Sequence, residues 1–118
     1  MTLDPKTFAV AMAERDLDRL GAAITETVRM RCLLPGGPIE DHGRADVLAR
    51  FESWFEDMDT VELVDVRSED VIDKLLIHYR LTLTQGATRW ATTQTLSCKV
   101  EDDQLAVIDL LCSGMREF

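Results

Sequence analysis

The sequence predicts an α+β domain in which helices gather on one face of a curved antiparallel sheet. Three observations carry that expectation. Apolar residues as far as Met58 recur mostly at helical spacing, those after Asp59 alternate at period two, and 118 residues leave room for one core, so residues 1–118 read as one domain.

Pro5 suits the first turn of a helix, where its missing N–H would have no partner anyway. Residues 5–15 are rich in helix formers, among them Ala9, Ala11, Met12 and Glu14. After a phase shift at Asp16, the residues Leu17, Leu20 and Ile24 predict a second, shorter helix. From Val28 to Leu34 the period becomes two, with Val28, Met30, Cys32 and Leu34 on one face and Arg29 and Arg31 on the other. The Pro35–Pro38 run breaks the chain. Val47, Leu48, Phe51, Trp54, Phe55 and Met58 then form a broad aromatic stripe along a helix, leaving Asp46, Arg50 and Glu52 outside. Strands are expected at 60–68, 71–84, 89–100 and 104–113, joined by turns at Glu69-Asp70, Gln85-Gly86 and Asp102-Asp103.

Bulk properties remove several function classes. A net charge of −9 argues against nucleic acid, which needs a Lys/Arg surplus on one face, and it repels anionic membranes. No apolar run approaches the roughly 18 residues of a membrane span, and the stretch from Met1 to Lys6 has no basic segment leading into an apolar one. Three cysteines, an odd number without CxxC spacing, point to a reducing compartment and hence a cytoplasmic address. Glycine-rich phosphate loops, a Ser-His-Asp order and metal-ligand spacings are all missing, so neither a cofactor nor a metal is expected.

The element order, with Asp16-Leu-Asp-Arg-Leu20, Gly43-Arg-Ala-Asp-Val-Leu48 and the acidic hairpin Val100-Glu-Asp-Asp-Gln-Leu105, resembles the SnoaL-like polyketide cyclases, the ketosteroid isomerases and nuclear transport factor 2. That resemblance implies the NTF2-like (cystatin-like) fold, whose helices and curved sheet form a cone. It also implies a homodimer through the outer sheet face. Fold alone leaves the chemistry open. The resemblance would place the isomerase catalytic groups at Phe8, Cys32 and Thr95, where none of the required side chains stands. Related epoxide hydrolases use an Arg-x-Asp pair that no predicted strand here contains, although Asp109 lies on the last strand. The cyclases use a carboxylate where this chain reads Leu111-Cys-Ser113, and Asp109 is the nearest acid.

Turn arithmetic supplies a register. Pairing Thr84 with Arg89 sets Tyr79 opposite Gln94, and pairing Glu101 with Gln104 sets Leu96 opposite Asp109. The more apolar face, containing Leu75, Ile77, Tyr79, Leu81, Trp90, Gln94, Leu96 and Asp109, is expected to pack against the helices. The opposite parity, which the isomerase alignment favours, would line the cone with His78, Arg80, Thr93 and Thr95.

On the first parity Asp109 is the candidate catalytic acid/base, since burial raises a carboxyl pKa. The alternative is a strand-edge Asp paired with an Arg. Tyr79 and Gln94 are candidate ligand contacts or satisfied core polar groups, Trp54 a stacking platform or part of the core stripe, and Trp90 a rim residue. Cys32 reads as a nucleophile only beside cations, and otherwise as a small buried hydrophobe. Phe8 completes the candidate lining. The expected partner is a small, largely apolar organic molecule, held for binding or for a proton-transfer step such as isomerisation, cyclisation or dehydration. The competing expectation is a non-catalytic binding or assembly domain whose cone is filled by its own side chains. Leu76, Ile108, Leu110 and Cys112 would form the apolar outer patch of the homodimer.

Overall fold

A computed structural model describes residues 3–118; Met1 and Thr2, the first two residues of the N-terminal stretch read above, lie outside the described residues. Two helices come first. Helix α1 spans Pro5–Glu14, and the Asp4 carboxylate caps it by accepting from the Lys6 N–H at 3.0 Å. Arg15 ends the helix in the left-handed region with φ 56°. Helix α2, Leu17–Ala22, is capped in the same way by Asp16, which accepts from the Arg19 N–H at 3.1 Å.

Strand β1 (Ile24–Leu34) follows directly, so Ile24 belongs to the sheet and not to the second helix. The chain turns at Pro35 and Gly36 into a short strand β2 (Gly37–His42), a hairpin where only a break was expected. Pro38 is tolerated because β2 is an edge strand. Helix α3 (Arg44–Phe55) carries the aromatic stripe, with Val47, Phe51 and Phe55 buried. The remaining strands are β3 (Thr60–Val71), β4 (Lys74–Gln85), β5 (Thr88–Glu101), β6 (Gln104–Cys112) and β7 (Arg116–Glu117). The first of these hairpins turns at Ile72 and Asp73, not at Glu69-Asp70, because both strands are longer than the apolar alternation alone indicates.

The sheet order is β2-β1-β6-β5-β4-β3, with β7 pairing β5. All pairs are antiparallel except β1 with β6, so the sheet is mixed and not purely antiparallel. It remains open and curves around α1 and α3. Phe8, Met12, Leu20, Phe51 and Phe55 from the helices pack on Val28, Met30, Ile77, Tyr79, Leu81 and Leu96 from the sheet in one core. Phe8 meets Phe51 edge-to-face at 6.3 Å, and Phe51 lies 5.6 Å from Trp54.

The β4–β5 register is the expected one: Tyr79 faces Gln94, Ile77 faces Leu96, and Thr84 faces Arg89. The β5–β6 register departs from expectation at one point. Glu101 does pair with Gln104, but a bulge between Lys99 and Val100 then shifts the ladder, so that Leu96 faces Leu110 and Ser97 faces Asp109. Leu105 and Ala106, consecutive on β6, are both buried at the bulge. One inserted residue exchanges the faces of everything beyond it. Ile108, Leu110 and Cys112 therefore turn inward, while Val107, Asp109 and Leu111 turn outward.

Candidate functional site

The inner surface of the cone carries few polar side chains, and they converge. Tyr79 on β4 is completely buried, and its hydroxyl donates to Oε1 of Gln94 on β5. Gln94 is 2% exposed; its Nε2 points toward Sγ of Cys112 on β6 at 3.6 Å. Thr92 Oγ1 lies 3.5 Å from the same sulfur, and the Gly114 N–H approaches it at 3.4 Å. Three neighbouring strands thus bring a phenol, an amide, a hydroxyl and a thiol together on one face.

Beside this cluster is a cavity of about 150 Å³ lined by Leu34, Pro35, Trp54, Phe55, Thr92, Gln94, Cys112, Gly114 and Met115. Trp54 and Phe55 come from the aromatic helix, while Leu34 ends β1 and Pro35 opens the β1–β2 turn. Gly114 and Met115 come from the chain leaving β6. Gly114 has φ 77°, and a Cβ there would sit 2.7 Å from Pro35 Cγ, so only glycine lets the two segments close together.

Asp109 lies elsewhere. Its carboxylate is on the outer face, its side chain 45% exposed, accepting from Arg31 Nε at 2.9 Å. Arg31 is its neighbour in the parallel β1–β6 pair, and the contact raises the guanidinium pKa. The expected place for Asp109 inside the cone is corrected by the bulge, and the strand-edge Asp–Arg pair is the arrangement found. Thr95 is on the outer face as well, 2.7 Å from His78 Nδ1, so the parity suggested by the isomerase alignment does not line the cone.

The other candidates occupy different settings. Cys32 faces inward and is buried, but burial, with Asp41 next in importance, pushes its thiol up to about 12. Cys98 is likewise pushed up to about 12, mainly by burial. Tyr79 is raised well above the ordinary phenol value for the same reason. Trp90 is half-buried at the start of β5 and packs against the core, and Phe8 is a core residue. Phe8 also floors a separate surface groove of about 320 Å³ between α1, α2 and the β5–β6 turn. Among the described residues, no group of three His, Cys, Asp or Glu side chains is placed to hold a metal ion.

Sequence reasoning missed two parts of this region. The alternation alone sets Cys112 on the outer face, because nothing in the sequence marks the bulge. The helical spacing sets Arg50 on the solvent side of its helix, yet it grips Asp41 of β2 with Nε–Oδ2 2.9 Å and Nη2–Oδ1 3.3 Å. That two-point pairing ties α3 to the edge strand beside Cys32 and raises the Arg50 pKa. The alternation of Ile39 and Asp41 inward against Glu40 and His42 outward was the available signal.

Helices laid across an open, curved sheet, with a small cavity between aromatic helix and inner strands, define a cone-shaped α+β protein. The chain belongs to the SnoaL-like domain family, whose pattern matches residues 6–108. No curated protein matches the sequence. Among solved structures it is similar to a hypothetical protein of ketosteroid isomerase-like fold from Catenulispora acidiphila, in complex with trimethylamine. There the TM-score is 0.74 at 11% identity, covering 93% of this chain and 85% of that one. AusH from Aspergillus nidulans gives a TM-score of 0.72 at 16% identity, with 91% and 79% covered. An epoxide hydrolase of M. tuberculosis, described as LEH-like, gives 0.69 at 15% identity, with 92% and 78% covered. These likenesses establish the shared fold.

Proposed function

We propose that this protein binds a small, largely apolar organic molecule in the cavity between Trp54 and the Gln94–Cys112 cluster. The observation that carries the reading is the cavity itself, an almost wholly apolar pocket of about 150 Å³ whose lining includes Thr92, Gln94 and Cys112. A cavity of about that size accommodates a benzene-sized molecule. Catalytic proton transfer receives less support than binding, because the Asp109 carboxylate stands on the opposite face of the sheet. A protein of the same fold was solved with a comparably small molecule, trimethylamine.

Cys112 provides the test. It is half-buried and lines the cavity, whereas Cys32 and Cys98 are buried thiols held protonated. The rate at which a disulfide reagent modifies Cys112, followed by peptide mapping, should fall several-fold in the presence of single-ring compounds at millimolar concentration. Unchanged rates and an unchanged melting temperature across such a panel would sink the reading.

We also propose that two copies associate through the outer sheet face in a reducing, cytoplasmic setting. Leu33 and Leu111, each 55% exposed, face one another across β1 and β6 next to the Arg31–Asp109 pair. This patch takes the place of the expected Ile108, Leu110 and Cys112, which the bulge turns inward. An apolar strip beside charges of both signs complements itself under a two-fold axis. Light scattering should give twice the chain mass, and Leu33→Glu with Leu111→Glu should reduce it to the monomer; a monomeric parent protein refutes the pairing. Among the described residues no helix is long and apolar enough to cross a membrane.

A further inference from the structure

The groove floored by Phe8 lies outside the cone. At about 320 Å³ it has more than twice the volume of the cone cavity of about 150 Å³, and among the described residues the two share no lining. Its shape follows from local sequence. Asp4, Thr7, Phe8 and Ala11 recur at i, i+3, i+4 and i+7, which sets them along one side of α1. Ala22 and Ala23, where α2 ends, line it from the other helix, and Leu3, Arg19 and Asp103 complete it. The methyl side chains of Ala11, Ala22 and Ala23 fill little of the space between the helices, so an apolar hollow remains.

The charges of the lining have one dominant sign. Asp4 and Asp103 are both exposed. Arg19 is the only cation among the described lining residues, and its guanidinium is drawn to Asp16 at 3.5 Å and Glu14 at 3.7 Å. Asp4 accepts from the Lys6 N–H on Oδ1 and from the Thr7 hydroxyl on Oδ2, each at 3.0 Å. An ionised carboxylate has about four acceptor sites, so roughly two remain. Its full negative charge also exceeds the partial positive charge of about one half at the start of a helix. A cation beside Asp4 is therefore attracted, and the net charge of −9 adds to that attraction. An anion meets the same field as repulsion, with Arg19 already engaged.

Apolar walls and an anionic rim suit different parts of one molecule. A small hydrophilic cation would leave Leu3, Phe8 and the three alanines uncovered, and a hydrocarbon would forgo Asp4. We propose that this groove is a second ligand site and takes an amphiphilic organic cation. An apolar body of about one ring and a short chain lies against Phe8, Ala11, Ala22 and Ala23, and a protonated amine meets Asp4. The volume falls at the lower end of the roughly 300–1,000 Å³ typical of small-molecule sites. The site is separate from the cone cavity and does not rest on the reading given for it.

Three probes of nearly equal length separate the cases: 4-phenylbutylamine, a cation; 4-phenylbutan-1-ol, neutral; and 4-phenylbutyrate, an anion. Titrated into the intact protein at neutral pH and low salt, the amine should shift the ¹H–¹⁵N signals of Thr7, Ala11 and Ala23. It should bind about two- to fivefold tighter than the alcohol, the range one exposed charge pair supplies, and the butyrate should bind most weakly. Asp4→Asn removes the charge but keeps the cap of α1, since Asn caps a helix as well as Asp. In that variant the preference for the amine should fall below about twofold. Ala22→Trp, at an exposed position, should fill the groove and abolish the shifts.

Equal affinity for amine and alcohol overturns the proposal, as does tighter binding of the butyrate or a preference that survives Asp4→Asn. So do shifts that persist in Ala22→Trp, shifts confined to Thr92, Gln94 and Met115 in the cone, and a failure of all three probes to bind. The cone reading stands or falls separately, on the protection of Cys112.

Discussion

A phenol hydroxyl at the centre of a core must find an acceptor, and a hairpin with a two-residue turn leaves little choice as to which. The two-residue turn is Gly86-Ala87, one residue beyond the expected Gln85-Gly86, and counting outward from the Thr84–Arg89 pair places Gln94 opposite Tyr79, which is the pairing found. This part of the site was legible because the turn residues and the alternation agree. Asp109 was not legible. Leu105, Ala106, Val107 and Ile108 are apolar without interruption, so β6 reads equally well in either parity, and nothing in that run marks the bulge. The consequence can be measured. Asp109→Asn removes an exposed ion pair on the face away from the cavity, so the melting temperature should change by less than about 4 °C. Ligand protection of Cys112 should be the same in both proteins. A variant that loses protection would mean that Asp109 communicates with the cavity, against the geometry described.

Between residues and the whole fold, the helices were easier to read than the turns. The stripe from Val47 to Phe55, Pro5 at the first turn and the phase shift at Asp16 are strong local signals, whereas β2 and β7 are short segments at the margins of the sheet with little apolar alternation of their own. The β3–β4 turn was misplaced because Glu69 and Asp70 resemble turn residues while Ile72 does not. Ile72 nonetheless occupies the turn with φ 57° and a fully exposed side chain. A β-branched residue is disfavoured there, and its side chain gains no burial. Ile72→Asn should therefore stabilise the protein by about 1 kcal/mol, read from the urea midpoint. The reverse situation holds where the chain leaves β6. Gly114→Ala adds a Cβ that meets Pro35 Cγ at 2.7 Å in a backbone region with φ 77°. The expected cost is about 1–2 kcal/mol, with faster modification of Cys112 as Gly114 and Met115 move off the cavity. Slower or unchanged modification would show that this segment does not cover the site.

At the scale of the molecule, the order of elements and the helix-on-sheet layering were legible, since they follow from the change of hydrophobic period near Asp59. The parallel pairing of β1 with β6 was not, because it joins strands more than seventy positions apart and no local pattern records it. That pairing gathers the buried titratable groups into one core, and the core imposes a pH dependence. Cys32 and Cys98, ordinarily near 9.0, are both held up to about 12 by burial. Tyr79, on β4 beside the strand of Cys98, is raised as well. Below pH 9 the thiols are protonated in both folded and unfolded chains, and their contribution is fully present. Above it, the unfolded chain releases protons that the folded one retains, so stability falls as pH rises toward 12, by at most about 1.4 kcal/mol per pH unit for each thiol. A net charge of −9 adds self-repulsion over the same range, but salt screens that part and leaves the buried part in place. Urea midpoints measured under reducing conditions from pH 8 to 10.5, in low and in 0.5 M salt, should therefore keep a downward slope at high salt. Replacing Cys98 by Ala should lower the whole curve and flatten that residual slope, whereas an unaltered slope would mean that Cys98 ionises in the folded protein as readily as in water.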